Sequence, residues 1–214
     1  MIPVSLPGGE VVFSTRQGGV SQGPYESLNL GILTDDDQGR VAENRARFAR
    51  AAGVSAESVA MGWQVHGTDL REWEAAPTAG GYAQPGETLD RVDGHVTSAR
   101  DVALLVLVAD CLPVALVSPS RVAMLHCGWR GLAGGIVERA LERFDDAPAA
   151  AIGPGIGPCH YEVGPEVLDA FADLDGVASG RMLDLKAVAA AKLRAGGVLH
   201  VHDVDRCTYC EPGA

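Results

Sequence analysis

The chain has 214 residues, 47% of them hydrophobic, and a formal net charge of −11. That length suits one domain, 1–214, with a sizeable core, while the acid excess works against nucleic acid and anionic membranes, both of which demand surplus Lys and Arg. The longest apolar run, Val102 to Ala109, is too short to span a bilayer. The amino terminus lacks the basic start and apolar core of a secretory signal, and five cysteines in so long a chain favour reduced thiols over a disulfide framework. The expectation is a cytoplasmic protein that handles small molecules.

In chain order, Val11 to Phe13 reads as a short strand entering the glycine-bearing loop Thr15 to Ser21. Asp35 to Arg40 introduces a helix on which Val41, Arg45, Phe48 and Ala52 share one face, and Gly53 is placed to end it. Arg45 is the odd member of that apolar stripe, and a guanidinium there needs an acidic partner or a ligand. Val59 to Thr68 is an apolar, β-prone run with His66 at its end and Gly67 breaking it. The sequence turns loop-like around Gly80 to Gly86, and Val92 to Thr97, which includes Asp93, resumes a strand.

The run from Val102 to Gly131 carries the most chemistry. Two apolar stretches each deliver metal-capable side chains at their downstream end, Asp110 and Cys111 after the first and His126 after the second. Between them Ser118-Pro119-Ser120-Arg121 is a turn signal, so residues 112 to 118 and 121 to 126 form a β-hairpin. With Pro119 and Ser120 in the turn, His126 lies opposite Pro113 and within diagonal reach of Cys111. A Cys and a His so placed make either a nucleophile with its base or two corners of a metal site. Gly128-Trp129-Arg130-Gly131 then opens a helix with Leu132, Ile136, Ala140, Leu141 and Phe144 at helical spacing, its first N–H groups near the site.

Downstream, Gly153, Gly155 and Gly157 have the wrong spacing for a dinucleotide loop, and Pro154 and Pro158 remove needed N–H donors. A helix starts at Pro165, and a last one spans Leu185 to Ala195 between the Asp184 cap and Gly196. His160-Tyr161-Glu162 with Cys207 and Cys210 imitates the zinc deaminase signature, but Arg206 replaces its proline and no helix surrounds His160. His200 and His202, on one face of a terminal strand, offer Cys207 and Cys210 a structural zinc site, though one close to the end of the sequence. Alternating strands and helices around a central hairpin define an α/β fold with a mixed sheet flanked by helices.

Motifs along nearly the whole chain resemble one family. They include Ser14-Thr15-Arg16, Ser27-Leu28-Asn29-Leu30-Gly31, Glu43-Asn44-Arg45, Gln64-Val65-His66-Gly67, Asp93-Gly94, Asp110-Cys111-Leu112-Pro113, His126-Cys127-Gly128-Trp129-Arg130-Gly131, Tyr161-Glu162-Val163 and Cys207-Thr208. In their order and spacing they are similar to the laccase-domain or polyphenol oxidase family, whose members are also called purine nucleoside phosphorylases and peptidoglycan editing factors. The resemblance implies that His66, Cys111 and His126 hold one zinc with a coordination position open. It also implies phosphorolysis of adenosine, inosine and 5′-methylthioadenosine and deamination of adenosine. The family usually continues beyond the Cys207 region with an Arg-bearing segment that this sequence lacks, so part of the pocket wall is expected to be absent or supplied differently.

On that reading, zinc activates water for attack on adenine C6, and Asp110 and Asp93 are the candidate proton carriers or orienting groups. Arg45, with Asn44 in its motif and Arg130 at the helix start, is the candidate ligand for phosphate and substrate. Alternatives are a laccase-like copper oxidase, for which six histidines are too few to build a multicopper cluster, a metal-free hydrolase using Cys111 and His126, and editing of cell-wall precursors, for which the sequence offers no recognition element.

Overall fold

The computed structural model describes residues 1–78, 81–82 and 89–211; most of the loop expected around Gly80 to Gly86 lies outside them. In chain order the strands are β1 (Ile2–Leu6), β2 (Gly9–Phe13), β3 (Val59–Ala60), β4 (Leu70–Trp73), β5 (Gly94–Thr97), β6 (Ala103–Leu104), β7 (Leu112–Val117), β8 (Val122–Cys127), β9 (Ala149–Ile152), β10 (Ala178–Ser179), β11 (Met182–Leu183) and β12 (Val201–Asp203). The helices are α1 (Gln38–Ala51), α2 (Trp129–Gly134), α3 (Ile136–Leu141), α4 (Pro165–Asp169) and α5 (Leu185–Ala195). A six-stranded sheet runs β12-β9-β7-β8-β5-β4, parallel at its two edge pairs and antiparallel between. This is the mixed α/β sheet expected from the sequence, with the β7–β8 hairpin at its centre.

Every residue of β7 is buried because both faces of the sheet are covered. Leu112, Val114 and Leu116 pack with Leu125, Ile152 and the apolar sides of α2, α3 and α5, including Leu132, Ile136, Val188 and Leu193. The alternate residues face the β1–β2 hairpin, where Ala115 and Ala151 meet Val4, Val11 and Phe13. Gly153 lets these layers close, since a Cβ there would come within 2.5 Å of the Phe13 ring. The glycines at 153, 155 and 157 thus answer to packing, in agreement with the wrong spacing for a nucleotide loop.

Two expected elements differ. The single helix after His126 is broken into α2 and α3 by Gly135, which sits at φ 90°; that left-handed conformation ends one helix and redirects the chain into the next. The run Val59 to Thr68 pairs as a strand only through Ala60, beside β6. Beyond it the Gln64 side-chain amide takes over the pairing: its Nε2 donates to Leu107 O at 2.6 Å, and Leu107 N donates to its Oε1 at 2.7 Å. A side chain doing the work of a backbone step frees residues 61–66 from strand geometry and lets His66 turn to φ 61°.

Candidate metal centre

Three segments meet at the open end of the sheet's central hairpin. His126, next to last in β8, lies opposite Pro113, as the hairpin register required, and Cys111 stands just ahead of β7. His66 arrives on the irregular segment after β3. Ligand atoms of His66, Cys111 and His126 lie within 4.8 Å of one another, and the two imidazoles meet edge to face at 4.7 Å between centroids. Space is kept by Gly128, where a Cβ would stand 3.1 Å from both Cys111 Sγ and His66 Cδ2. Two imidazole nitrogens and a thiol converging, with no other His, Cys, Asp or Glu in the group among the described residues, fit a thiophilic divalent metal such as zinc, held by three protein ligands.

Asp93 organises the trio. It is fully buried and lies across from His126 as the β5–β8 register is extended by one residue. Its Oδ1 accepts from His126 Nδ1 at 2.8 Å, which leaves Nε2 as the metal-facing nitrogen. The backbone N–H groups of Val65, His66 and Gly67 also donate to its carboxylate, at 3.1, 2.9 and 2.7 Å. Burial pushes the Asp93 pKa up, but the His126 bond and these N–H donors outweigh it and hold the carboxyl below its ordinary value. Both carboxylate oxygens are thus engaged, by the His126 ring and by the backbone of residues 65–67.

Asp110 is exposed, and one oxygen accepts from Thr208 Oγ1 at 2.7 Å. Among the described residues its second oxygen takes no side-chain hydrogen bond. Sequence reasoning gave Thr208 no role, although Cys207-Thr208 stood among the recurring motifs. Burial pushes the Tyr161 phenol pKa up. Cys111 itself is pushed up by burial, then by Asp110 and Asp93. His126 is lowered by burial, against the pull of Asp93.

Of the three residues expected at phosphate and substrate, Arg45 and Asn44 are engaged by other parts of the chain. Arg45 is 2% exposed; its Nε and Nη2 donate to Leu30 O at 2.9 and 2.7 Å, and its Nη1 donates to Gly81 O and Tyr82 O at 3.2 and 3.0 Å. The guanidinium lies 5.2 Å from the centroid of the Tyr82 ring. Asn44, fully buried, accepts from Val20 N and donates to Ser21 Oγ, Ser27 O and Asn29 O. Both side chains tie loops to α1. Arg130, by contrast, is exposed, with its guanidinium carbon 4.5 Å from the centroid of the Trp129 ring.

A cavity of about 830 Å³ lies between β2 and the central hairpin, walled by Val11, Phe13, Leu30, Tyr82 and Leu107 among others. Asp110 and Thr208 line it; the three clustered ligands do not. Its size suits a small molecule, but the chemically competent donors are those of the cluster.

Fold and site together define an α/β protein whose mixed sheet carries a Cys-His-His cluster able to bind metal at the end of its central hairpin. Comparison with known proteins narrows the class. A family model described as multi-copper polyphenol oxidoreductase laccase matches residues 10–214, and the chain belongs to that family. It is 37% identical over 211 residues to purine nucleoside phosphorylase YfiH of Shigella flexneri, covering 92% of this chain and 83% of that protein. Two crystal structures share the fold. YlmD from Geobacillus stearothermophilus superposes with a TM-score of 0.85 at 34% identity, over 92% of this chain and 81% of that one. The Bacillus licheniformis hypothetical protein YfiH gives 0.86 at 28% identity, over 93% and 82%. No helix among the described residues is long and apolar enough to cross a membrane.

Proposed function

We propose that the chain is a zinc-dependent purine nucleoside phosphorylase acting on adenosine, inosine and 5′-methylthioadenosine, with deamination of adenosine as a second activity of the same centre. The observation that carries this reading is the convergence of His66, Cys111 and His126 in a chain 37% identical to a protein named purine nucleoside phosphorylase. When bound by these three residues, zinc supplies Lewis acidity and acidified water.

In phosphorolysis a phosphate oxygen bonds to ribose C1′ while the C1′–N9 bond breaks and its electron pair leaves with the purine, which takes up a proton. Arg130 is the phosphate ligand in this scheme, because it is exposed two residues after Gly128, which abuts Cys111 and His66, and a guanidinium binds phosphate through paired N–H groups. Asp110, steadied by Thr208, carries the proton through its second oxygen. In deamination the oxygen of water bonds to C6, the C6–N bond breaks, and the same carboxylate passes the proton that departs with ammonia. Asp93 does not touch substrate; it fixes the tautomer of His126 and the backbone at His66. A cytoplasmic setting belongs to this reading, since Cys111 must remain reduced to serve as a ligand.

The family description favours copper as a second reading, a polyphenol oxidase using the same three ligands. A metal-free Cys111–His126 hydrolase is opposed by the surroundings of the thiol, where burial and two carboxylates all disfavour thiolate. One experiment separates the three. Protein purified without added metal is analysed for zinc and copper, then given adenosine with and without phosphate. Adenine and ribose-1-phosphate appearing only with phosphate, lost on chelation and restored by zinc, is the expected result. Full turnover after chelation, or oxidation of a phenol by copper-loaded protein with no base released, refutes the proposal.

A further inference from the structure

A second group of donors lies outside the site already described. Cys159 and His160 sit in a turn after Gly157, and Cys207 and Cys210 in another turn some fifty residues later in sequence. The structure assigns these four residues to a second metal site, a closed Cys3His centre for zinc. This is not the set that the sequence suggested. His200 and His202 take no part, and the places expected for them belong to Cys159 and His160.

The geometry rests on how the two turns are joined. Gly155 and Cys207 form a parallel bridge, through Gly155 N donating to Arg206 O at 3.2 Å and Thr208 N donating to Gly155 O at 3.1 Å. Each turn is closed by its own backbone bond, His160 N to Gly157 O at 3.0 Å and Glu211 N to Cys207 O at 3.0 Å. Four donor atoms are thereby brought within 4.8 Å of one another. Cys159 Sγ is 3.6 Å from Cys207 Sγ and 3.3 Å from Cys210 Sγ, and His160 Nδ1 is 3.3 Å from the sulfurs of both Cys159 and Cys210. A tetrahedral zinc with bonds of about 2.3 Å to sulfur and about 2.0 Å to nitrogen has edges of roughly 3.8 Å between sulfurs and roughly 3.5 Å between sulfur and nitrogen. The observed edges need only a few tenths of an ångström of expansion. A disulfide needs its sulfurs at about 2.05 Å, and all five cysteines are free.

Three further features prepare the cluster. Gly157 N donates to Cys207 Sγ at 3.2 Å. Only glycine fits there comfortably, because a Cβ at 157 would stand 3.1 Å from Cys207 Cβ and 3.3 Å from both Cys159 Sγ and Cys207 Sγ. The His160 ring stacks on Tyr209 at 4.1 Å, which fixes the imidazole with Nδ1 toward the thiols. The partial likeness to a zinc deaminase ends here. Cys159 fills the fourth position, where a deaminase keeps water, and Glu162 is paired with Arg181 at 3.2 Å. Four protein ligands make a structural centre, and Thr208, between the two ligands of the second turn, is the residue that holds Asp110.

The test is metal content and ligation of the full chain, purified under reducing conditions. Two zinc ions per chain are expected, and X-ray absorption at the zinc edge should give an average of two sulfurs per zinc, against one if only the Cys111 centre is filled. The double variant Cys207→Ser/Cys210→Ser should lose one zinc and keep the other, while Cys127→Ser keeps both. Replacing zinc with cobalt should give a strong thiolate-to-metal charge-transfer band that disappears in the double variant. One zinc per chain with one sulfur ligand in the wild type overturns the assignment, as does a disulfide among Cys159, Cys207 and Cys210 in the reduced preparation. The wild-type absorption measurement decides the matter even where a variant does not fold.

Discussion

Replacing Asp93 with Asn changes shape least and tests the organisation of the centre most directly. The carboxylate accepts from His126 Nδ1 and from the backbone N–H groups of Val65, His66 and Gly67, in a setting with no solvent exposure. An amide keeps one acceptor oxygen and places an NH2 where the other was. With its oxygen retained toward His126 and His66, the NH2 confronts Gly67 N–H, the shortest of the backbone contacts at 2.7 Å. One buried donor loses its partner, at about 1–3 kcal/mol, and the bonds that remain lose their charge assistance, at roughly 1 kcal/mol more. The same change loosens His66, a non-glycine residue held at φ 61°, a conformation that costs about 1–3 kcal/mol when nothing enforces it. The expected loss is about 2–5 kcal/mol in unfolding free energy of the metal-free protein. Zinc affinity should fall about 10- to 100-fold, the usual effect of removing a partner that orients a metal-binding histidine. Denaturant melts of chelated protein and competition with a chromophoric chelator measure the two quantities. Unchanged zinc affinity together with an unchanged melt refutes the role given to Asp93.

Arg45→Met should cost about 3–5 kcal/mol of stability, because it strips the carbonyls of Leu30, Gly81 and Tyr82 of a shared donor, and should leave the KM for phosphate unaltered; a raised KM with an intact melt would return Arg45 to the substrate. Gly128→Ala should weaken zinc binding at the Cys111 centre by about tenfold or more, since φ is an unstrained −78° and the added methyl acts only on Cys111 and His66; wild-type affinity in this variant would remove Gly128 from the site. The pH dependence follows from the raised Cys111 thiol. In the metal-free protein it stays protonated through neutrality, so zinc must displace one proton, and apparent affinity should rise about tenfold per pH unit from roughly pH 6 to pH 8. A flat titration profile over that interval would show that Cys111 is not a ligand.

What could be read before any coordinates were known was local. The β7–β8 hairpin was legible because Ser118-Pro119-Ser120-Arg121 separates two apolar runs, and its register followed from the turn. Helix α5 was legible to the residue because Asp184 caps its start, accepting from Ala187 N at 2.9 Å, and Gly196 follows its end. Non-local satisfaction of polar groups was not legible. Nothing near Arg45 in sequence announces that its guanidinium is answered by carbonyls at 81 and 82, so an arginine on an apolar stripe was read as a ligand-binding group. Gln64 hid a break in a β-prone run, since its amide reproduces the bonding of a strand to Leu107. Cys159 was invisible as a ligand because its partners lie beyond α4 and α5, and only the Gly155–Cys207 bridge brings them together.

The centre at Cys111 draws on three pieces of chain whose mutual position depends on different parts of the fold. His126 is set by the β7–β8 register, Cys111 by the entry to β7, and His66 by the Gln64 bonds and the Asp93 carboxylate. Asp93 itself comes from the entry to β5, so one side chain ties the β5–β8 pairing to the segment that delivers His66. Metal binding at this end of the central hairpin is therefore linked to completion of the sheet. A metal that binds only the folded arrangement stabilises it by mass action, and the first part to loosen on its removal should be the one without strand pairing of its own, residues 61–66. Hydrogen exchange that rises in that segment on chelation, while β7 and β8 stay protected, would show the linkage acting through Asp93; uniform exchange across the sheet would place it in the hairpin instead.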